Sequence, residues 1–251
     1  MTSNFVTFYL IIVLITGPFF QFLPIPASLK WDEILLAKML NQAPIVFLLG
    51  YLIFQAKKIN NKINYLLLIA FLVTCILSEI YYYFLSPENN FTAVVINNIV
   101  SYCIISAILL RKIKSFKAIQ NNIFYYAIGI SMLVLFGFSF SAYNIFKEYF
   151  IEKTFICIIL LTFIFTATTI VFLSTLTHEP FRRLWFETII GILGIVVVDV
   201  YTYNCLFVFN TEPTLIFTIG KIFFSIGILL FADSSLRKYF KKETHQSQYI
   251  I

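Results

Sequence analysis

An all-α, polytopic membrane protein of eight transmembrane helices is the fold class this sequence predicts, on three observations. Of its 251 residues 60% are hydrophobic and only 12% charged, against about a quarter charged in a soluble domain. Eight apolar runs are long enough to be read as spans. The basic side chains gather in alternate connections between those runs, as they do when every second loop faces the cytoplasm.

A hydrocarbon layer about 30 Å thick needs ~20 apolar residues in a helix. The runs are 5–23, 42–56, 64–85, 92–110, 123–146, 154–176, 188–209 and 214–234. The first lacks the positive flank of a signal peptide, since Lys30 is the first basic side chain, and reads as a retained helix. The second is short and opens at Asn41-Gln-Ala-Pro44, where proline is tolerated because its missing N–H would be unpaired. The remaining six are too continuous for barrel strands, and only helices and closed barrels satisfy the backbone in lipid.

Orientation follows from charge. Lys57, Lys58 and Lys62 follow the second run, Arg111, Lys112, Lys114 and Lys117 the fourth, Arg182 and Arg183 the sixth, and Arg237, Lys238, Lys241 and Lys242 the eighth. The other side holds Lys30, Lys38, Lys147 and Lys153. Both termini are therefore expected in the cytoplasm, with residues 1–236 forming the membrane domain and 237–251 a basic tail against anionic headgroups. The net charge of +6 belongs to these loops, and no aromatic-interleaved groove suggests nucleic acid. Multi-pass insertion in a bacterial cytoplasmic membrane is the expected location.

Two stretches stand out. Leu77-Ser-Glu79-Ile-Tyr81-Tyr-Tyr83 and Val197-Val-Asp199-Val-Tyr201-Thr-Tyr203 each place one acid in an apolar run, with tyrosines two and four residues later. An intramembrane carboxylate costs about 2.5 kcal/mol or more on insertion scales and marks a functional site. Short outer loops, Ser86-Pro-Glu-Asn and Asn210-Thr-Glu-Pro, follow the two stretches, and each is followed by a helix ending in Arg-Lys. The chain thus reads as two parallel four-helix repeats, about 1–120 and 121–236, sharing one site. Lys221 lies about eight residues into the last run, roughly 12 Å deep at 1.5 Å per residue. It is expected to pair with Asp199 or Glu79, because an unpaired ammonium there is the costlier alternative.

Other polar residues read as structural. Ser139, Ser141, Asn144, Thr162, Thr166, Thr168 and Thr169 are expected to bond between helices, and Gly191 and Gly194 to admit a close neighbour. Asp233 is expected as a solvated carboxylate at the cytoplasmic end of the last helix. Cys75, Cys103, Cys157 and Cys205 form no CxxC pair, and His178 and His245 are dispersed, so no metal, disulfide framework or other cofactor is expected.

Glycine-to-aspartate spacing in Gly191-Ile-Leu-Gly-Ile-Val-Val-Val-Asp199, and the third-run segment Ala70-Phe-Leu-Val-Thr-Cys-Ile-Leu-Ser78-Glu79, resemble motifs of the YhhN, or lysoplasmalogenase-like, membrane family. Gln42-Ala-Pro44 sits where that family often has Lys-Pro. Ser78-Glu79 replaces the family's Gly-Asp, Val198 its serine before the second acid, and its fourth-helix histidine is missing. The resemblance implies a lysophospholipid substrate whose vinyl ether is hydrolysed by two carboxyl groups. Glu79 and Asp199 would be catalytic, with Lys221, Asn97, Tyr81 and Tyr201 around the substrate. The alternative is a small-solute transporter or ligand-sensing protein without catalysis, which parallel repeats around intramembrane charges also suit.

Overall fold

The computed structural model describes residues 1–22, 42–59, 61–84, 87–113, 119, 121–149, 151, 153–177, 182–205, 208 and 215–236, without the side chains of 17–22, 58, 79, 81–84, 87–91, 148–149 and 215–218. Among them stand eight α-helices and no β-strand. They are α1 Ser3–Phe22, α2 Ala43–Gln55, α3 Lys62–Phe84, α4 Pro87–Leu110, α5 Asn121–Tyr149, α6 Thr154–Leu176, α7 Arg183–Asn204 and α8 Leu215–Leu236. Each falls on one of the apolar runs read from the sequence.

Two helices, α4 and α7, depart by five residues from their expected limits. Pro87 to Asn90, expected in an outer loop, form the first turn of α4, where proline's fixed φ suits the first helical position. The α7 helix starts at Arg183 and ends at Asn204, five residues before the expected limits at each end. Its first turn is held by an Arg183 Nε to Glu187 Oε1 ion pair of 2.7 Å and by Trp185 Nε1, which donates to Thr175 O at 2.9 Å. The latter bond also closes α6 onto α7. The expected outer loop at 210–213 and the tail 237–251 lie outside the described residues.

Five helices, α4 to α8, are long and apolar enough to cross a membrane; α1, α2 and α3 contribute shorter described apolar stretches, Ser3–Thr16, Ala43–Gln55 and Lys62–Ser78. The α5 helix turns Tyr125, Met132, Leu133, Phe136, Phe140 and Tyr143 outward. So large an exposed apolar face is foreign to a soluble monomer and ordinary against lipid. Inside, Phe71, Tyr102, Phe138, Phe163 and Phe231 are nearly or wholly buried in one continuous core.

Consecutive helices pack against one another within each half of the chain, most extensively α3 on α4, α5 on α6 and α7 on α8, while α6 also lies along α4 and α8 along α1. The α7–α8 seam is the tightest. A Cβ on Gly191 would sit 2.8 Å from Phe231 N, and one on Gly227 2.7 Å from Gly191 O. Small residues let two backbones approach this closely, as expected for Gly191 and Gly194.

Some polar residues depart from expectation. Thr162, Thr168 and Thr169 donate to carbonyls four residues back on α6, and Thr166 to one three back; Ser139 likewise returns to Phe136 O. A short hydroxyl side chain reaches its own preceding turn more readily than a neighbouring helix. Ser141 does bridge, donating to Asn204 Oδ1 at 2.9 Å. Asp233, expected in water, accepts an ion pair of 2.6 Å from the Met1 ammonium.

Candidate functional site

The half-buried Asp199 sits five residues before the end of α7. Its Oδ2 accepts a hydrogen bond from the phenol of Tyr102 on α4. Tyr102 is buried, and its ring stacks on Phe163 of α6 with centroids 5.4 Å apart. Phe163 in turn stacks on Tyr203 of α7 at 4.7 Å and meets Phe138 of α5 edge-on at 6.1 Å. Four helices thus contribute to one aromatic column, and offset or edge-on pairs add about 0.5–1.5 kcal/mol each beyond burial. The column fixes the ring that carries the hydroxyl.

The α3 helix packs along α4, the helix that carries Tyr102, and its Cys75 lies partly buried against the core. Tyr9 on α1 donates to Ser225 O of α8 at 2.8 Å. Glu79 lies one turn along α3 from Cys75, at the spacing that puts two residues on one helix face. The side chains of Glu79 and Tyr81 lie outside the described residues.

What sets the register of α3 against α4 is a ladder of small polar side chains. Asn97 Nδ2 donates to Thr74 O at 2.8 Å and to Ser78 Oγ at 2.5 Å. Ser78 Oγ donates to Asn98 Oδ1 at 3.0 Å, and Ser101 Oγ to Thr74 Oγ1 at 2.7 Å. The rungs occupy Thr74 and Ser78 on one helix, Asn97 and Ser101 on the other, each pair four residues apart and so on one face. Asn97, expected beside a substrate, spends its amide hydrogens fastening α3 to α4.

Tyr201, expected around the substrate, lies two residues beyond Asp199 on α7. A residue two positions away points to nearly the opposite side of a helix, whereas one four away shares the face. The tyrosine on the Asp199 face is accordingly Tyr203. The hydrogen-bond partner that the described residues give Asp199 is Tyr102; the expected pairing of Lys221 with Glu79 falls on a side chain outside the described residues. Sequence reasoning missed Tyr102. Its available signal was a polar pair, Ser101-Tyr102, well inside an apolar run and far from the interfacial belt where tyrosine is commonplace.

Nearer the start of both helices, Thr92, Val95, Ile156, Ile159 and Leu160 meet at the α4–α6 seam and leave no room for a water-sized molecule. Val95 and Tyr102 lie seven residues apart on α4, and Ile156 and Phe163 seven apart on α6, so this apolar contact belongs to the same seam as the Tyr102–Phe163 stack. Among the described residues no group of three or more His, Cys, Asp or Glu side chains is arranged to hold a metal. Compared with known proteins, the chain matches no family model, no curated protein and no solved structure.

Proposed function

We propose that this chain is an integral membrane hydrolase acting on the vinyl ether of a lysophospholipid, in the manner of the YhhN or lysoplasmalogenase-like family, with Glu79 and Asp199 as its carboxyl pair. The observation that carries the reading is Asp199 itself: an intramembrane carboxyl bonded to a buried phenol. Glu79 lies on α3, which packs along α4, the helix that carries that phenol. A polar cluster of this kind in an apolar bundle is expensive and therefore points to chemistry.

The reaction needs two carboxyl groups in different states. A protonated carboxyl, assigned to Glu79, gives its proton to the β carbon of the vinyl ether, and the double-bond electrons form the new C–H bond. The resulting oxocarbenium ion faces an ionised carboxylate, assigned to Asp199, which also orients the water that adds to it, and the proton that this water loses restores the Glu79 carboxyl. The hemiacetal then breaks its C–O bond as its hydroxyl proton passes to the leaving glycerol oxygen, releasing a fatty aldehyde and the glycerophospho-base. One water is consumed. Environment separates two carboxyl roles in the same way in glycosidases. The Lys221 ammonium would meet the lipid phosphate, and Tyr81 and Tyr201 would flank the headgroup. No cofactor takes part.

The test is Asp199→Asn in native membranes, supplied with a lysoplasmalogen and assayed for aldehyde. Release should fall by about a hundredfold or more, the scale of a lost general acid–base group; unchanged turnover would remove Asp199 from the mechanism. The same reading has all eight helices crossing a bacterial cytoplasmic membrane as two parallel repeats, with both termini inside. Thiol reagents should then reach Lys57→Cys and Lys147→Cys from opposite sides.

A second reading, a small-solute transporter or ligand sensor, is favoured by one observation: the order of packing, first on second, second on third and third on fourth helix, recurs in both halves. Parallel repeats of this kind occur in carriers. Solute uptake into proteoliposomes that survives with no aldehyde release would favour it.

A further inference from the structure

Beyond the carboxyl pair, we propose that Tyr102 is a positioning residue: its phenol holds Oδ2 of Asp199 and so presents Oδ1 to the ligand. Three observations support this. Oδ2 takes the Tyr102 hydrogen bond, while Oδ1 accepts none among the described residues. The two helices that carry the pair, α4 and α7, share no extended packing among the described residues, so the phenol–carboxyl bond is a bridge between them. The ring is independently aimed, because it is buried and stacked on Phe163, which is itself clamped by Tyr203 and Phe138.

A buried tyrosine hydroxyl needs an acceptor, and a plain strut would satisfy that need equally well. What distinguishes positioning is the asymmetry of the carboxyl. With one oxygen fixed, the side chain cannot rotate to offer either oxygen at random, and the free lone pairs of Oδ1 point in one direction. A group held in a productive geometry contributes to rate through orientation, and a displacement of about 1 Å can cost about a hundredfold. The consequence for turnover rests on the hydrolase reading; the geometry does not.

Two measurements separate the two claims. In the first, Tyr102→Phe keeps the ring and its stack but removes the donor, and is assayed on lysoplasmalogen in lipid nanodiscs. The kcat should fall about tenfold or more while KM stays within about twofold, the pattern of an interaction made chiefly in the transition state. In the second, wild-type and variant proteins are treated with dicyclohexylcarbodiimide, a membrane-soluble reagent. It adds a carboxyl O–H across its C=N bond to give an O-acylisourea, which rearranges to a stable N-acylurea read by mass at Asp199. Freed at both oxygens, Asp199 in Tyr102→Phe should label about tenfold faster, the scale of a lost hydrogen bond to a charged group.

If Asp199→Asn is inactive while Tyr102→Phe keeps wild-type kcat and wild-type labelling, the role of Tyr102 is overturned and the hydrolase reading stands. If labelling rises in Tyr102→Phe but no protein releases aldehyde, the hydrolase reading is overturned and Tyr102 remains the group that orients Asp199. Should Tyr102→Phe not be recovered folded, Phe163→Leu removes the stack that aims the hydroxyl. Its Asp199 should also label faster, and wild-type labelling there would overturn the proposal.

Discussion

Between α7 and α8 the backbones themselves meet, across Gly191, Gly194 and Gly227. Between α3 and α4 they are joined by side chains, through Thr74, Ser78, Asn97 and Ser101. Each seam joins two helices consecutive in the chain, and they are the two most extensive helix pairings among the described residues. Their chemistry is opposite because lipid removes the usual reason for helices to associate. Apolar surface gains little by leaving hydrocarbon for protein, so a seam must offer either unusually close packing or hydrogen bonds. The glycine seam is close-packed backbone on backbone, and its α7 member carries Asp199. The polar ladder joins α3 to α4, the helix that brings Tyr102 to that carboxyl.

The comparison can be broken most severely at the glycine seam. Gly191→Val would drive a branched side chain into Phe231 N and Gly227 O, both within 2.9 Å of the new Cβ. Since neither backbone can yield without moving a helix, the cost should reach about 3 kcal/mol or more, visible as a large fall in melting temperature in detergent. Gly50→Val is its control: nothing lies within 4 Å of a Cβ there, and equal damage at both sites would refute the close-approach argument. At the polar seam, Asn97→Leu removes two hydrogen bonds that each contribute about 0.6 kcal/mol in a membrane interior. The loss should be about 1 kcal/mol, and a loss as large as that of Gly191→Val would mean the ladder is the stronger seam. Smallest of all is Gly220→Ala, whose new methyl would touch Val198 at an ordinary 3.5 Å. It should change stability by no more than about 0.5 kcal/mol.

Much of the scaffold was legible in the sequence because lipid imposes a simple rule: an apolar run of sufficient length becomes a helix. All eight helices answer to such runs. Where the rule is silent the reading failed, as at Pro87-Glu-Asn-Asn, whose polar side chains hide a helical first turn. Asp199 was legible as a lone acid in an apolar run. Tyr102 was not, because which residue of α4 faces α7 depends on how α3, α4 and α6 pack, and the polar pair Ser101-Tyr102 marks a place on α4 without saying what it faces. The hydroxyls of α6 were read as couplers between helices when the nearest acceptor was the preceding turn of their own helix.

One end of the bundle carries a consequence for experiments on orientation. Arg111 donates from Nε to Asn64 Oδ1 at 2.8 Å, and Lys112 from Nζ to Ser235 Oγ at 3.0 Å while its ammonium lies 5.7 Å over the ring of Phe231. These cations knit the foot of α4 to the feet of α3 and α8. Charge-reversal mutants meant to flip the chain in the bilayer would cut those ties as well. A protein that arrives inverted and one that arrives upright but loosened could then give the same loss of signal, and only variants that keep hydrogen-bonding capacity while losing charge, such as Lys112→Gln, would tell them apart.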